Sequence, residues 1–331
     1  MRRRDRNRWA WVRCLVSALA LALAPYTLAA ESVVPTEGGA LPRLISLNPS
    51  LTAIVLRLGA ADALVGVDDY SARLWPEVAA LPRVGGLFDP HLESVVALRP
   101  DRVLLVAGVD QQRHADRLAA LGLRVEVYPN ERLDEVLENI DRLGRVLGRE
   151  LEAARRIEAI RTTRRAVARA TAARDRPATI AIVDRSPLYL VGGETFLDEM
   201  LEAVGATNLV RALPPGYPRG SIEWLIAARP ELLLDMTPGA DEASAFWSRW
   251  PSLPAVAANR VVRVEASRVS LPGPALDDAL RELAVVVHGP EIRSEIDAAL
   301  SEIGSVSDAR LDTDPRPRDF LFSPAAREVT P

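Results

Sequence analysis

Lysine is absent from this 331-residue chain, and cysteine and histidine are scarce. All 41 basic residues are arginines, the single cysteine is Cys14, and the histidines are His91, His114 and His288. A protein metal site needs several ligands that converge on the ion. Three dispersed histidines and one cysteine near the N-terminus argue against such a site. We therefore expect no resident metal or cofactor.

Two common signatures of enzymes are also missing. The chain has no G-x-S-x-G motif, which presents the nucleophile of many hydrolases. The segment Gly192-Gly193-Glu194 lacks the full glycine spacing that a dinucleotide-binding turn requires. We predict that the chain is not an enzyme, and an exported hydrolase or oxidoreductase is the weaker alternative.

The first thirty residues have the three parts of a secretory signal peptide. Six arginines lie in residues 2–13, an apolar run extends from Leu15 to Ala24, and small residues close the segment at Ala29–Ala30. The run is shorter than the roughly 20 residues that a membrane-spanning helix needs. We predict that residues 1–30 direct export and are cleaved, which leaves a periplasmic chain without cysteine.

The predicted mature chain is acidic. Loss of residues 1–30 removes six arginines and Asp5, so the formal charge changes from −4 to −9. Nucleic acids and anionic lipids repel a protein of this charge. Cys14 precedes the apolar run, whereas a lipid-bearing cysteine would follow it. We expect a free monomer that binds no nucleic acid.

An internal repeat is the most informative feature of the sequence. Residues 92–104 read LESVVALRPDRVL and residues 222–234 read IEWLIAARPELLL, at a constant offset of 130. In both copies apolar residues at helical spacing lead to a proline, which stops the helix. The apolar run that follows suits a strand buried on both faces of a parallel sheet. Chance likeness of two generic βα units is the alternative.

A weaker echo precedes each copy and extends the duplication. Apolar runs at Leu44–Leu47 and Ile180–Val183 are each followed by a polar turn and a helix that ends at Gly59 or Gly205, where a helix stop is expected. Between the halves, residues 148–174 contain no proline and are rich in helix formers. We predict there a helix of about 37 Å along both halves, the alternative being a surface helix of one domain.

These patterns predict an α/β fold of two lobes with mainly parallel sheets. We predict an N-terminal lobe over residues 42–145, a linker helix over 146–174 and a C-terminal lobe over 177–290. A last helix at 290–303 precedes a disordered tail at 305–331.

A cleft between two α/β lobes predicts where a ligand binds. Ligands of open α/β sheets lie beyond the carboxyl ends of the strands, and the loops there hold much of the aromatic and polar material. Flat aromatic faces suit a large, partly apolar ligand with polar edges, although each ring alone could pack on its own lobe. The candidate ligand-binding residues are Asn48, Ser50, Tyr70, Trp75, Phe88, Asp89, Asp110, Arg185, Tyr189, Tyr217, Trp247 and Arg268.

Residues 42–288 resemble the class III periplasmic binding proteins of ABC importers, the family of the vitamin B12, iron-siderophore and haem binders. The resemblance is carried by RLISLNPS, LVGVDDYS, LPRVGGLFDPHLESVVALRPD, SIEWLIAARPE and PGPAL–DALRELA, in this order. It implies two Rossmann-like lobes joined by one rigid helix. It also implies that Glu93 and Glu223 dock onto arginines of the permease, which works with ATPase subunits at the inner membrane. The alternative for both is a first-turn glutamate that the helix dipole favours.

Departures from the family pattern bear on the ligand. Haem binders often carry a ligating tyrosine in the loop that is Gly85–His91 here, and this loop has none. Many relatives have a basic residue where Leu271 precedes PGP. The resemblance thus implies cobalamin or a ferric siderophore, without choosing between them. A sensor or adaptor that uses the same fold to present its ligand is the rival reading.

Overall fold

The computed structural model describes residues 40–86, 89–237, 245–265 and 269–312, with the backbone alone for 305–312. The predicted signal peptide at residues 1–30 lies outside the described residues. So do the candidate ligand residues Phe88 and Arg268.

The first sheet consists of four parallel strands in the order β2-β1-β3-β4. They are β1 (Leu44–Ser46), β2 (Leu64–Val67), β3 (Arg102–Val106) and β4 (Val125–Tyr128). The helices of this lobe are α1 (Pro49–Arg57), α2 (Asp69–Leu74), α3 (Leu92–Ala97), α4 (Val109–Ala120) and α5 (Leu133–Leu147).

The second sheet repeats this plan and adds one antiparallel strand. Its strands are β5 (Ala178–Arg185), β6 (Leu188–Leu190), β7 (Thr207–Asn208), β8 (Leu232–Asp235) and β9 (Val261–Arg263). The parallel strands follow the order β7-β5-β8-β9, and β6 folds back on the carboxyl end of β5. The helices here are α7 (Phe196–Ala203), α8 (Ile222–Ala228), α9 (Pro254–Ala257), α10 (Leu276–His288) and α11 (Ile292–Asp312). The predicted fold class is confirmed.

The internal repeat is visible in the backbone as well as in the topology. Leu104 and Leu234, 130 residues apart, each pair with the central strand of their sheet, at Ser46 and at Ala181. The sequence of buried, intermediate and exposed residues is the same over 91–99 and 221–229. The helix ends match too, since the predicted stops have φ angles of 70° at Gly59 and 76° at Gly205. The duplication predicted from sequence is therefore present in three dimensions.

The long helix α6 (Glu150–Thr171) follows the first lobe and leads into the second. Its 22 residues extend about 33 Å, and its buried side packs against α5, α10 and α11. The predicted start at residue 146 is corrected, because Gly148 has a φ of 63° and caps α5. Gly144 lets α5 and α6 approach closely, since a Cβ there would lie 2.5 Å from the Cβ of Ala153.

The C-terminal helix is longer than the sequence predicted. We expected a disordered tail from residue 305, whereas α11 continues to Asp312. Residues 291–314 contain no proline, so nothing interrupts the backbone hydrogen bonds of the helix. The predicted tail beyond residue 312 lies outside the described residues. In the part of the chain that is described, no helix is both long enough and apolar enough to span a bilayer.

The main hydrophobic core crosses from one lobe to the other. One cluster of buried side chains runs from Leu44 in β1, through Ile160 and Val167 of α6, to Leu280 and Ile296 of the last two helices. Smaller clusters cover the remaining face of each sheet. The linker helix is thus part of the core rather than a strut standing between two separate domains.

Candidate functional site

Glu199 ties the carboxyl-end side of one sheet to the other lobe. It lies in α7 of the second lobe, and its Oε2 accepts a hydrogen bond of 2.7 Å from the amide of Leu133. Its Oε1 lies 3.0 Å from Nη2 of Arg132. Both partners follow the carboxyl end of β4, so the strand ends of the first lobe face the second.

Loops of the two lobes also come close to each other at two further places on this side of the sheets. A Cβ placed on Gly273, in the loop before α10, would lie 3.9 Å from the backbone oxygen of Ser50 in α1. Desolvation of its hydroxyl and the negative charge of Glu131, in the loop after β4, raise the pKa of Tyr217, in the loop after β7. Loops that follow strands of both sheets therefore come together, as the predicted cleft requires.

Asn48 and Ser50 stand at this edge but serve the backbone. The Oδ1 of Asn48 accepts a 2.8 Å hydrogen bond from the amide of Ser50, which caps α1 ahead of Pro49. Both residues are buried. Local capping uses the Oδ1 of the asparagine, and the serine is buried; their contact with a ligand stays a prediction.

A buried carboxylate, which the sequence did not single out, lies beside them. Asp68 caps α2 by accepting the amides of Tyr70 and Ser71 at 2.9 Å each. The hydroxyl of Ser71 also contacts its carboxylate and lies 2.9 Å from Oγ1 of Thr52. Burial raises the pKa of Asp68 against these hydrogen bonds, which lower it. An Asp followed three residues later by Ser at a helix start is the signal that could have revealed it.

The other candidates of the first lobe differ in their accessibility. Tyr70 is exposed, with the guanidinium carbon of Arg73 5.4 Å from its ring centroid. Asp89 is exposed, as is Asp110, which pairs with Arg113 at 3.2 Å. Trp75 is half-buried against the core, and its Nε1 has no hydrogen-bond partner among the described residues.

In the second lobe, Arg185 and Trp247 are held by a buried acid. Asp235, at the carboxyl end of β8, accepts a 2.6 Å hydrogen bond from Nε1 of Trp247 and lies 3.5 Å from Nε of Arg185. Trp247 is only 1% exposed. The indole fills the core and its nitrogen donates to Asp235, and its role in ligand binding stays a prediction. The charge of Arg185 is balanced in place, and its guanidinium lies 5.3 Å from the ring of Phe246.

Tyr189 and Tyr217 are the candidates of this lobe whose side chains reach solvent. Both are exposed. Tyr189 pairs with Asp184 across the β5–β6 hairpin and bridges to Arg219 on its other side. Together with Tyr70 they give each facing edge at least one accessible aromatic ring.

Glu93 and Glu223 occupy matched places on the two lobes. Each is exposed in the first turn of a short helix, α3 or α8, that precedes β3 or β8, the strand that pairs with the first strand of its sheet. The local caps differ, because Ser221 binds the amide of Trp224 whereas His91 makes no side-chain cap bond. Hydrogen bonds from its own backbone and from the Ser221 side chain lower the pKa of Glu223.

A groove of about 1090 Å³ lies at the opposite end of the second lobe. It is lined by Arg174, Arg176, Arg260 and His288 among others, at the amino ends of the strands. The arginines already bind carbonyls and acids; Arg260 donates to the carbonyl of Val287 at the end of α10, for example. We place the ligand site at the carboxyl ends instead, because both lobes contribute side chains there. Within the described residues, no group of three or more His, Cys, Asp or Glu side chains converges as a metal site would.

Comparison with known proteins identifies the family of this chain. Residues 44–267 match the family model described as periplasmic binding protein. The chain belongs to this family. A vitamin B12-binding protein of Yersinia pestis (strain Pestoides F) is 29% identical over 235 residues, which cover 69% of this chain and 82% of the relative.

Solved structures of binding proteins share the fold. The molybdate periplasmic binding protein MolA of Haemophilus influenzae aligns with a TM-score of 0.67 at 19% identity, over 78% of this chain and 90% of that one. The haem-binding protein RhuT of Roseiflexus sp. RS-1 aligns with a TM-score of 0.66 at 21% identity, over 78% and 100%. The solved structures confirm the fold, and the family model with the vitamin B12-binding relative confirms the predicted class III periplasmic binding protein of the ABC-transporter type. The prediction that the chain is not an enzyme is also confirmed, because the family and the relative from Yersinia pestis are binding proteins.

Proposed function

We propose that this periplasmic binding protein is exported by its N-terminal segment and delivers a large metal complex, cobalamin or a ferric siderophore, to an ABC importer. The observation that carries the proposal is the set of accessible rings at the facing edges, Tyr70 on one lobe and Tyr189 and Tyr217 on the other. Aromatic faces bind the flat, partly apolar surface of such complexes better than they bind a small ion. The relative named for vitamin B12 supports a corrinoid first.

Charge argues for the same class of ligand. Arg185 stands at the strand ends but pairs with Asp235, so its charge is not directed at an incoming oxyanion. A compact dianion such as molybdate would need uncompensated donors to replace its hydration. A large complex that is weakly charged over most of its surface needs fewer of them.

Delivery requires no covalent step in this protein. The ligand enters between the lobes, the lobes close by a small rotation, and the loaded form docks through Glu93 and Glu223 onto basic side chains of the permease. Two carboxylates at separate points fix both the register and the orientation of docking. ATP hydrolysis by the partner ATPase subunits then drives release. α6 and the shared core limit how far the lobes can open.

Titration of residues 31–331 with cyanocobalamin, ferrichrome, haemin and molybdate tests the ligand. We expect the chain to bind cyanocobalamin or ferrichrome, and Tyr189→Ala or Tyr217→Ala to weaken that binding by about 5- to 30-fold through loss of a stacked ring. Tyr189→Phe and Tyr217→Phe are the matched controls, since they keep the ring. Binding of haemin or molybdate alone would contradict the proposed class of ligand. Binding of none of the four would contradict the proposed delivery role as well.

Uptake by the reconstituted importer tests docking. In proteoliposomes that contain the permease and its ATPase, Glu93→Gln/Glu223→Gln should reduce uptake at least 10-fold while ligand affinity stays unchanged. Asp116→Asn, in α4, is a control that also removes one exposed carboxylate. Unchanged uptake by the double variant would point to a sensor or adaptor rather than an importer component.

A further inference from the structure

Each short helix that carries a proposed docking glutamate also exposes one large apolar side chain. Val96 is 38% exposed and Ile226 is 36% exposed. They lie 130 residues apart, at the same position of the internal repeat. Each follows its glutamate by three residues, so the carboxylate and the apolar side chain occupy neighbouring places on one helix surface.

Neither Val96 nor Ile226 belongs to the hydrophobic clusters of the described residues. In each helix the residue before them, Val95 or Leu225, is the buried one that holds the helix to its sheet. The alanines that follow, Ala97 and Ala227, are exposed as well. A single exposed valine or isoleucine is ordinary. Here, however, the same acidic and apolar set is presented once on each lobe.

We propose that Val96 and Ile226 are apolar anchors that insert into the permease beside the two carboxylates. The inference rests on the proposed function and adds a second contact type to it. A solvent-exposed ion pair contributes only about 0–1 kcal/mol, so glutamates alone would orient the protein without holding it. Apolar side chains buried at an interface act mainly on dissociation, whereas charges act mainly on association.

The repeat also specifies the partner. Two patches with the same residues at the same spacing fit a receptor that offers the same surface twice. The occupant is therefore a permease of two equivalent halves, each with a basic side chain next to an apolar recess. A partner with one binding surface would engage one lobe and leave the second patch without a counterpart.

The test measures docking kinetics on the native permease–ATPase complex in lipid nanodiscs, with ligand-loaded protein. Val96→Ser/Ile226→Ser should raise the dissociation rate about 10-fold at both low and high salt and leave the association rate within 2-fold. Glu93→Gln/Glu223→Gln should instead slow association and remove its salt dependence. Leu121→Ser is the matched control, since Leu121 is an exposed apolar residue at the end of α4, outside both patches.

The outcomes separate this inference from the proposed function. If the Val96/Ile226 variant dissociates like the Leu121→Ser control while the glutamate variant loses docking, the apolar anchors are wrong and glutamate docking stands. If neither double variant changes docking, the docking role of the glutamates fails too. A loss of ligand affinity or melting temperature in the Val96/Ile226 variant would assign these residues to lobe structure and overturn the inference.

Discussion

In the first lobe a buried carboxylate, Asp68, is surrounded by hydroxyl and amide groups; in the second, Asp235 is held by a guanidinium and an indole. Both acids lie at strand ends on the side where the lobes face each other. The backbone around them is duplicated, down to matching φ angles of 46° at Arg99 and 52° at Arg229. The two acids are not equivalent in the repeat, because Asp68 follows β2 whereas Asp235 ends β8, and the offset of 130 places Leu105 there in the first lobe. The polar side chains at the facing edges therefore differ although the scaffold is repeated.

The difference between repeated and differing surfaces fits two separate functions, partner binding and ligand binding. On the proposed docking, a partner made of two equal halves would preserve the repeat in the helices that carry Glu93 and Glu223. A ligand bound between the lobes presents different groups to each side, so the facing edges have no reason to stay alike. Duplicated surface then indicates the partner, and diverged surface indicates the ligand.

Removal of the two acids should give the largest contrast between the lobes. Asp235→Ala removes the carboxylate that pairs with Arg185 and accepts from Trp247, and it should lower the free energy of unfolding by about 3–5 kcal/mol. Asp68→Ala loses a helix cap among neutral groups and should lower it by about 1–2 kcal/mol. Urea unfolding measures both, with the exposed Asp110→Ala within about 0.5 kcal/mol of the parent as control. Equal losses would mean that the two acids are held alike.

The two tryptophans should differ in the same direction. Trp247→Phe removes the bond to Asp235 and leaves space in a closed core, so we expect a loss of about 2–3 kcal/mol. Trp75→Phe removes an indole nitrogen without a described partner and should cost about 1 kcal/mol. Chemical denaturation compares them, and a larger loss for Trp75 would contradict the assigned network.

Gly59 and Gly205, which end equivalent helices, allow the backbones of the two lobes to be compared. Alanine at Gly59 meets only the strain of a positive φ, since nothing lies within 4 Å of the added Cβ; we expect a loss of about 1 kcal/mol. Alanine at Gly205 would also lie 3.2 Å from the Cβ of Thr171, so we expect about 2 kcal/mol. Melting temperatures rank the two variants, and a reversed order would show that the second lobe relaxes more readily.

The smallest expected effect concerns pH. Because burial raises the pKa of Asp68 above 3.8, the folded state binds more protons than the unfolded state between 3.8 and the raised value. The free energy of unfolding then falls as pH rises through this window, with a slope of at most about 1.4 kcal/mol per pH unit. Asp68→Asn should lack this component. Unfolding curves of both proteins from pH 3.5 to 7 measure the difference, and parallel profiles would contradict the assignment.

Much of the fold could be predicted because the sequence contains the same pattern twice. Prolines after short helices, glycines at helix ends and buried apolar runs are local signals, and the repeat indicated that the local elements form two related sheets. The start of α6 was misplaced because Gly148 was not recognised as the cap of α5. The length of α11 was missed because its sequence is polar, whereas packing against α6 helps to support that helix.

The candidate site was harder to predict because side-chain partners are set by tertiary contacts. Trp247 and Arg185 follow the right strands, but a distant Asp235 engages both. The position of Asn48 in the sequence fits a ligand contact or a helix cap equally well, and only its hydrogen bond from the amide of Ser50 shows that it caps α1. Tyr189 lies in β6 and Tyr217 in the loop between β7 and α8, and no periodicity in the sequence indicates that both side chains are accessible.

The described residues belong to one compact unit, and Arg156 of α6 binds both the carbonyl of Pro274 and the carboxylate of Asp277. Exchange of ligand preference between relatives by swapping half-molecules at residue 148 would therefore cut through shared interior. A productive chimaera has to transplant loops at the facing strand ends and leave α5, α6, α10 and α11 from one parent. Over evolution, the same restriction favours new specificity through loop replacement rather than through recombination of halves.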